Sequence, residues 1–254
     1  MQTFALQSGS NGNSIYVECG QVRLLFDAGL SARRTAHRLA EHHRDVRHVQ
    51  ALILSHAHTD HTAGAAGLQK QHGLPIYCTP KTEHALLGQI DRHRREIRRF
   101  TPGQALEFDG VRVQTIPTPH DAPESVCFVV EFAGRRLGLF TDLGFPFAEL
   151  IRQMPTLDAV YLESNYDAAM LAAGAYPPLL KDRIRGGAGH LSNAQAAELL
   201  TRCDRERLRW AALAHLSAQN NHPEVALATH RSVLGHAFPL VMTSRQAATE
   251  MLTV

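Results

Sequence analysis

One stretch of six residues, His56-Ala57-His58-Thr59-Asp60-His61, limits what this chain can fold into more than any other. The residues before it, Ala51-Leu52-Ile53-Leu54, are apolar and partly β-branched and read as a short buried strand. Residues 63–72 read as a helix stopped by Gly73. Three imidazoles and a carboxylate are therefore expected in a strand-to-helix loop. Neutral imidazole nitrogens and carboxylate oxygens are the usual ligands of zinc and its borderline neighbours. One ion cannot easily use four donors from so short a loop; two adjacent ions can. With 16 histidines in 254 residues an isolated His-x-His is common. The full four-residue pattern directly behind a buried strand is not.

Composition sets outer limits. A chain of 254 residues can bury a large core as one domain or two small ones. Its 44% apolar and 20% charged content is ordinary for a globular protein. No apolar run reaches the length of a spanning helix, and residues 1–7 lack the pattern of a secretion signal. Cys19, Cys78, Cys127 and Cys203 are widely spaced with no C-x-x-C among them. Buried, reduced thiols in a cytoplasmic protein are expected, with thiolate ligation as the alternative. The net charge of +2 excludes a polycation, but two basic clusters occur. Arg92, Arg94, Arg95, Arg98 and Arg99 form one; Lys181, Arg183 and Arg185 form the other. Each is either a phosphate footprint or a solvated face.

Along the chain, residues 4–6 read as a strand and residues 8–13 as a small polar turn. Ser8, Ser10 and Asn13 in that turn either line an anion site or make a plain β-turn. Residues 14–19 and 22–27 form a hairpin. Asp27, at its end, either orients neighbouring ligands or shapes the turn. Ser31 caps a helix running to about His43. Two further hairpins turn at Asp109-Gly110 and Ala133-Gly134, and His120 and Asp142 follow strands. The second half alternates: a strand ending at Glu163, a helix near 167–173, and a glycine-rich loop through His190. Ser192 and Asn193 there either bind phosphate or cap the helix over 194–203. A strand over 208–214 ends at His215, and Asn220 and Asn221 open another helix. Strands with helices on both sides predict an α+β protein, a four-layer αββα sandwich with its functional residues at strand ends.

The H-x-H-x-D-H signature, followed in order by His120, Asp142 and His215, resembles the metallo-β-lactamase-fold hydrolases over nearly the whole chain. The resemblance implies that His56, His58 and His120 hold one ion, that Asp60, His61 and His215 hold another, and that Asp142 bridges them. The motifs at residues 8–13, 162–167, 189–193 and 215–224 look like the YycJ branch, also called WalJ or VicX. That is a bacterial cytoplasmic group associated with exonuclease activity on DNA, running 5′→3′. The pairing of Glu163 with His190 is also similar to RNase Z, whose long exosite arm is not apparent here. The stretch between Asp142 and His215 is too short for a β-CASP insertion, so residues 1–254 are expected to form a single domain. The sequence after His120 departs from the branch pattern beyond its first three residues, which bears on pocket shape.

The resemblance implies a dinuclear, metal-dependent phosphodiester hydrolase, most plainly a DNA exonuclease, with zinc or manganese as the two divalent ions and iron as a third option. Two ions a few Å apart generate hydroxide near neutral pH and clamp a phosphate. In this reading the bridging hydroxide attacks and Asp60 orients it or accepts its proton. His190 protonates the leaving oxygen, and Glu163 fixes its tautomer. Ser8, Ser10, Asn13, Ser192, Asn193, Asn220, Asn221, Arg183 and Arg185 are candidate substrate contacts. The alternatives are a small cyclic phosphodiesterase, an RNA nuclease, and a non-enzymatic regulator. A long basic groove would favour a polymer, and a closed cavity a metabolite. A nucleic acid partner and no membrane are expected; oligomeric state is open, with a dimer among the options.

Overall fold

The computed structural model of the protein describes residues 1–88 and 96–254. Its first half contains β1 (Gln2–Gln7), β2 (Ser14–Cys19), β3 (Val22–Phe26), α1 (Ala32–Glu41), β4 (Ala51–Ile53), α2 (Thr59–Thr62), α3 (Ala65–His72), β5 (Ile76–Cys78), α4 (Pro80–Leu86) and β6 (Ile97–Arg99). Then follow β7 (Ala105–Phe108), β8 (Val111–Pro117), β9 (Val126–Phe132), β10 (Arg135–Phe140), α5 (Ala148–Gln153), β11 (Ala159–Glu163), α6 (Ala168–Ala173), α7 (Pro178–Arg185), α8 (Asn193–Leu200), β12 (Trp210–Ala214), α9 (Pro223–Leu234), β13 (Leu240–Met242) and β14 (Leu252–Thr253).

Two sheets result, ordered β14-β1-β2-β3-β4-β5-β6 and β13-β12-β11-β10-β9-β8-β7. Period-two alternation along the strands decides what packs where. Val17, Leu24, Phe26 and Ile53 of the first sheet face Val113, Phe128, Leu139 and Tyr161 of the second across the central core. The intervening residues point outward. Phe4, Tyr16 and Leu25 pack beneath the helices of the first sheet. Cys127, Val129, Phe140 and Leu162 do so for the second. The expected αββα layering is therefore present. Both Asp109-Gly110 and Ala133-Gly134 have positive φ at each residue, the backbone that a two-residue hairpin with right-twisted strands requires. All four cysteines are free and buried, as expected. Among the described residues no helix is long and apolar enough to cross a membrane.

Several boundaries differ from the sequence expectation. Helix begins at Thr59, inside the metal motif, and breaks before α3. The break is steric and polar. The Gly64 N–H donates to Ala28 O at 2.7 Å, and a Cβ on Gly64 would lie 1.7 Å from Leu30 O. The chain is pinned there and cannot continue one helix. Helix α1 stops at Glu41 rather than His43, and the His42 ring packs on Phe4. Strand β12 starts at Trp210, not at residue 208. Helices α5 and α7 and strands β6 and β14 were not anticipated. Arg92, Arg94 and Arg95 lie outside the described residues. Arg98 and Arg99 sit on edge strand β6, where they pair with Glu96 and Glu83.

Candidate metal centre

Strands β3 and β4 run parallel, and β10, β11 and β12 likewise, so their C-terminal ends gather at one edge of the sandwich. The polar residues follow directly: Asp27 after β3, His56 after β4, Asp142 after β10 and His215 after β12, while Glu163 closes β11. Asp27, Asp142 and His215 all have left-handed φ, of 59°, 59° and 56°. Such backbone is costly for non-glycine residues and persists where the surroundings over-determine it.

His56, His58 and His120 bring one ring nitrogen each within 4.8 Å of the others, and donor atoms of Asp60, His61 and His215 converge in the same way. Asp142 stands between the two sets. Its Oδ2 lies 3.1 Å from His61 Nε2 and its Oδ1 3.6 Å from His120 Nε2. The structure thus brings together all seven residues that the family resemblance implied as ligands.

A second layer of groups aims these donors. Asp27 accepts from Ser55 N at 2.8 Å, Ser55 Oγ at 2.9 Å and His61 Nδ1 at 2.7 Å. Because the Ser55 hydroxyl proton goes to Asp27, Ser55 Oγ accepts from His56 Nδ1 at 2.8 Å. Both rings are left with Nε2 facing the cluster. Glu163 does the same from the second sheet. Its Oε1 accepts from His190 Nδ1 at 2.7 Å and His215 Nδ1 at 3.0 Å; its Oε2 accepts from Leu143 N at 3.0 Å and Leu191 N at 3.1 Å. Of the two roles left open for Asp27, the hydrogen bonds match the orienting one.

Three buried atoms here make no well-directed hydrogen bond: His56 Nε2, His215 Nε2 and Asp142 Oδ2. All three belong to the donor sets. Buried polar atoms in proteins are usually satisfied, and three unpaired ones converging on the same donor sets fit divalent cations placed among them. The charges agree. Burial, with the His61 ring beside it, holds His56 well below the usual imidazole range, in the neutral form that ligates. Burial opposes charge on His215 too, but Asp142, Asp60 and Glu163 raise it to about 10. Burial would raise Glu163, yet the His190 and His215 rings hold it down to about 2. The site therefore draws positive charge.

The candidate substrate contacts divide. Ser10 and Arg183 line an open cleft of about 350 Å³ over the donor sets, together with His58, Asp60, Asp142, His190 and His215. The others do not. Ser8 Oγ accepts from His215 N at 2.9 Å, and Asn13 Nδ2 donates to Asp60 Oδ2 at 3.1 Å. These two buried side chains hold ligand residues rather than a substrate. Ser192 caps α8 in a reciprocal box with Gln195. Asn193 and Asn221 bond each other and Ser164, and Asn220 is buried beside Ser217. Strand-end loops leave backbone groups that need partners, and the Asn221 amide supplies them for Ser164 O, Asn165 O and His222 N. Arg185 pairs with Asp182 on the surface. Among the described residues of the two basic clusters, Arg183 alone reaches the cleft, tied to Asp121. The continuous basic groove that the clusters suggested is not formed by the described residues. Asp121, Tyr176, Leu180 and Ile184 also line the cleft and were not singled out from sequence. Asp121, directly after His120, was the one with a positional signal.

With two sandwiched sheets and two donor sets at their shared edge, the chain belongs to the β-lactamase superfamily: residues 22–210 match the model of the beta-lactamase superfamily domain. Within it, the chain is 32% identical to Exodeoxyribonuclease WalJ of Streptococcus pneumoniae, over 98% of this chain and 96% of that protein. It is also 32% identical to Exodeoxyribonuclease YycJ of Bacillus anthracis, over 97% of this chain and 96% of that one. Among solved structures, the metallo-beta-lactamase fold protein YhfI from Bacillus subtilis superposes with a TM-score of 0.75 at 17% identity, covering 98% of both chains. The last similarity speaks for the fold.

Proposed function

We propose that this protein is a dinuclear metal-dependent phosphodiester hydrolase that removes nucleotides from DNA ends, in the 5′→3′ direction by resemblance. The observation that carries the reading is the pair of donor sets joined by Asp142, with His190 facing the same cleft and held by the carboxylate that also holds His215. Full-length similarity to two exodeoxyribonucleases supports DNA as the substrate.

In this reading His56, His58 and His120 would hold one ion and Asp60, His61 and His215 the other, with Asp142 available to either set. Zinc or manganese suits such a His/carboxylate set, and iron is the third option. When bound, the ions supply Lewis acidity toward the phosphodiester and activate water near neutral pH. The side chains do the rest. Asp60 lines the cleft and is fixed by Asn13, so it is placed to accept a proton from attacking water. His190 donates through Nδ1 to Glu163, which leaves Nε2 for the leaving oxygen. A 5′ nucleotide leaving through its 3′ oxygen is a poor leaving group without that proton.

The test uses zinc- or manganese-loaded protein with end-labelled DNA, end-labelled RNA and bis(p-nitrophenyl) phosphate, with and without EDTA. Stepwise shortening of DNA that EDTA abolishes is expected. Hydrolysis of the small ester alone would replace the nuclease with a small-molecule phosphodiesterase, which the modest cleft would also accommodate. Undiminished activity in metal-free protein would end both.

A further inference from the structure

Tyr176, Leu180 and Ile184 are half-buried, yet none belongs to the three apolar clusters that build the fold. Helix α7 buries no residue, and Leu179 on it is 84% exposed. Leu180, Arg183 and Ile184 stand at i, i+3 and i+4, so they share one helical face. That face and Tyr176 line the cleft. Polar contacts hold the helix in place: Arg183 to Asp121, Lys181 Nζ to Ala172 O at 2.7 Å, and His190 N to Ile184 O at 2.9 Å. The last contact fixes Ile184 to the backbone of His190. The half-buried apolar groups are thus sheltered by the cleft rather than by a core. The cleft lining also includes Asp60, Asp142 and His215 of the donor sets. With cations held by those sets, a ligand that satisfies both groups of residues is anionic at one end and flat and apolar at the other.

We infer that Tyr176, Leu180 and Ile184 form the subsite for the base of the terminal nucleoside, while its phosphodiester lies over the donor sets; the inference rests on the nuclease reading above. Stacking on an aromatic ring between aliphatic side chains is sequence-tolerant, because every base has a π-face. It therefore suits a nuclease that must process any end. A cleft of about 350 Å³ has room for one such unit rather than a length of duplex.

The test compares oligonucleotides whose terminal unit either carries a base or is an abasic tetrahydrofuran, placed at the 5′ end in one set and the 3′ end in the other. With manganese-loaded full-length protein, kcat/KM at the attacked end should favour the base by about tenfold or more. In Tyr176→Ala and in the double variant Leu180→Ser/Ile184→Ser, that ratio should fall toward about one, with metal content by elemental analysis as in the wild type. Tyr176→Phe, which keeps the ring, should keep the ratio. A wild-type ratio near one, or variants that retain the wild-type ratio, overturns the subsite while leaving the nuclease reading intact. If the wild type cuts no oligonucleotide but hydrolyses bis(p-nitrophenyl) phosphate, the nuclease reading falls and the subsite with it.

Discussion

Strand β11 has a buried carboxylate at each end, and the two behave differently. Asp158, just before the strand, accepts from Arg135 Nη1 at 2.8 Å, Arg136 N at 2.9 Å and Arg207 Nη2 at 3.0 Å. Glu163, at the far end, accepts from two backbone N–H groups and two imidazoles. Both carboxyls are held below their ordinary range against the effect of burial, Asp158 by arginines and Glu163 by His190 and His215. The partners make the difference. A guanidinium is always charged, so the Asp158 end is electrostatically complete. An imidazole bound through Nδ1 still has Nε2 to offer, so the Glu163 end turns a buried charge into two aimed nitrogens. The same strand thus has a fastening end and a working end.

This contrast can be broken experimentally. The largest effect is expected for Glu163→Gln and His190→Ala, each lowering kcat on DNA by about 100- to 10,000-fold. His190→Ala should keep two bound ions per chain. If it instead lost its metal and recovered turnover on reconstitution, His190 would belong with the ligands and not with the proton donors. Asp27→Asn comes next. Asp27 orients His61 and, through Ser55, His56, so metal affinity should drop about 10- to 100-fold in competition with a chelator. At saturating metal its turnover should recover further than that of Glu163→Gln. Equal residual turnover for the two would erase the distinction between orienting ligands alone and orienting the acid as well.

The smallest effect is expected at the fastening end. Asp158→Asn should leave turnover unchanged and cost about 1–3 kcal/mol of stability at pH 7 by denaturant titration. The folded carboxyl titrates below its unfolded value of about 3.9, so its contribution is complete above that pH and is lost as pH falls through the folded pKa. The gap between wild type and variant should stay constant from pH 6 to 8 and close below about pH 4. A gap that persisted in acid would mean that packing, not charge, holds this end.

The working end was the more legible from sequence. His56, His58, Asp60 and His61 are close enough in the chain to form a pattern, and His120, Asp142 and His215 each follow a strand. What that pattern leaves out is how the donors are aimed. Asn13 and Ser8 read equally well as an anion-binding turn, and only the crossing of chain segments shows that they serve Asp60 and His215. Asn193 and Asn221 likewise look available for a ligand until each is seen spent on the other. Short elements were lost for a related reason. Strand β14 is two residues long and exists because β1 offers it an edge, and β6 lies in an arginine-rich run whose sequence argues for solvent. Helix α7 was hidden because its apolar residues pack on no core, so their spacing shows no clear inward face.

The four cysteines have a use beyond packing. Cys19 lies between the sheets, Cys78 under the helices of the first sheet, and Cys127 and Cys203 under those of the second. Burial pushes the Cys19, Cys78 and Cys203 thiols up to about 12, so folded chains should be slow to alkylate. Each of the three apolar cores therefore contains its own dormant chemical clock, started only when that core opens. Pulse labelling followed by peptide mapping would time the opening of the three cores separately, without engineering a reporter into the chain.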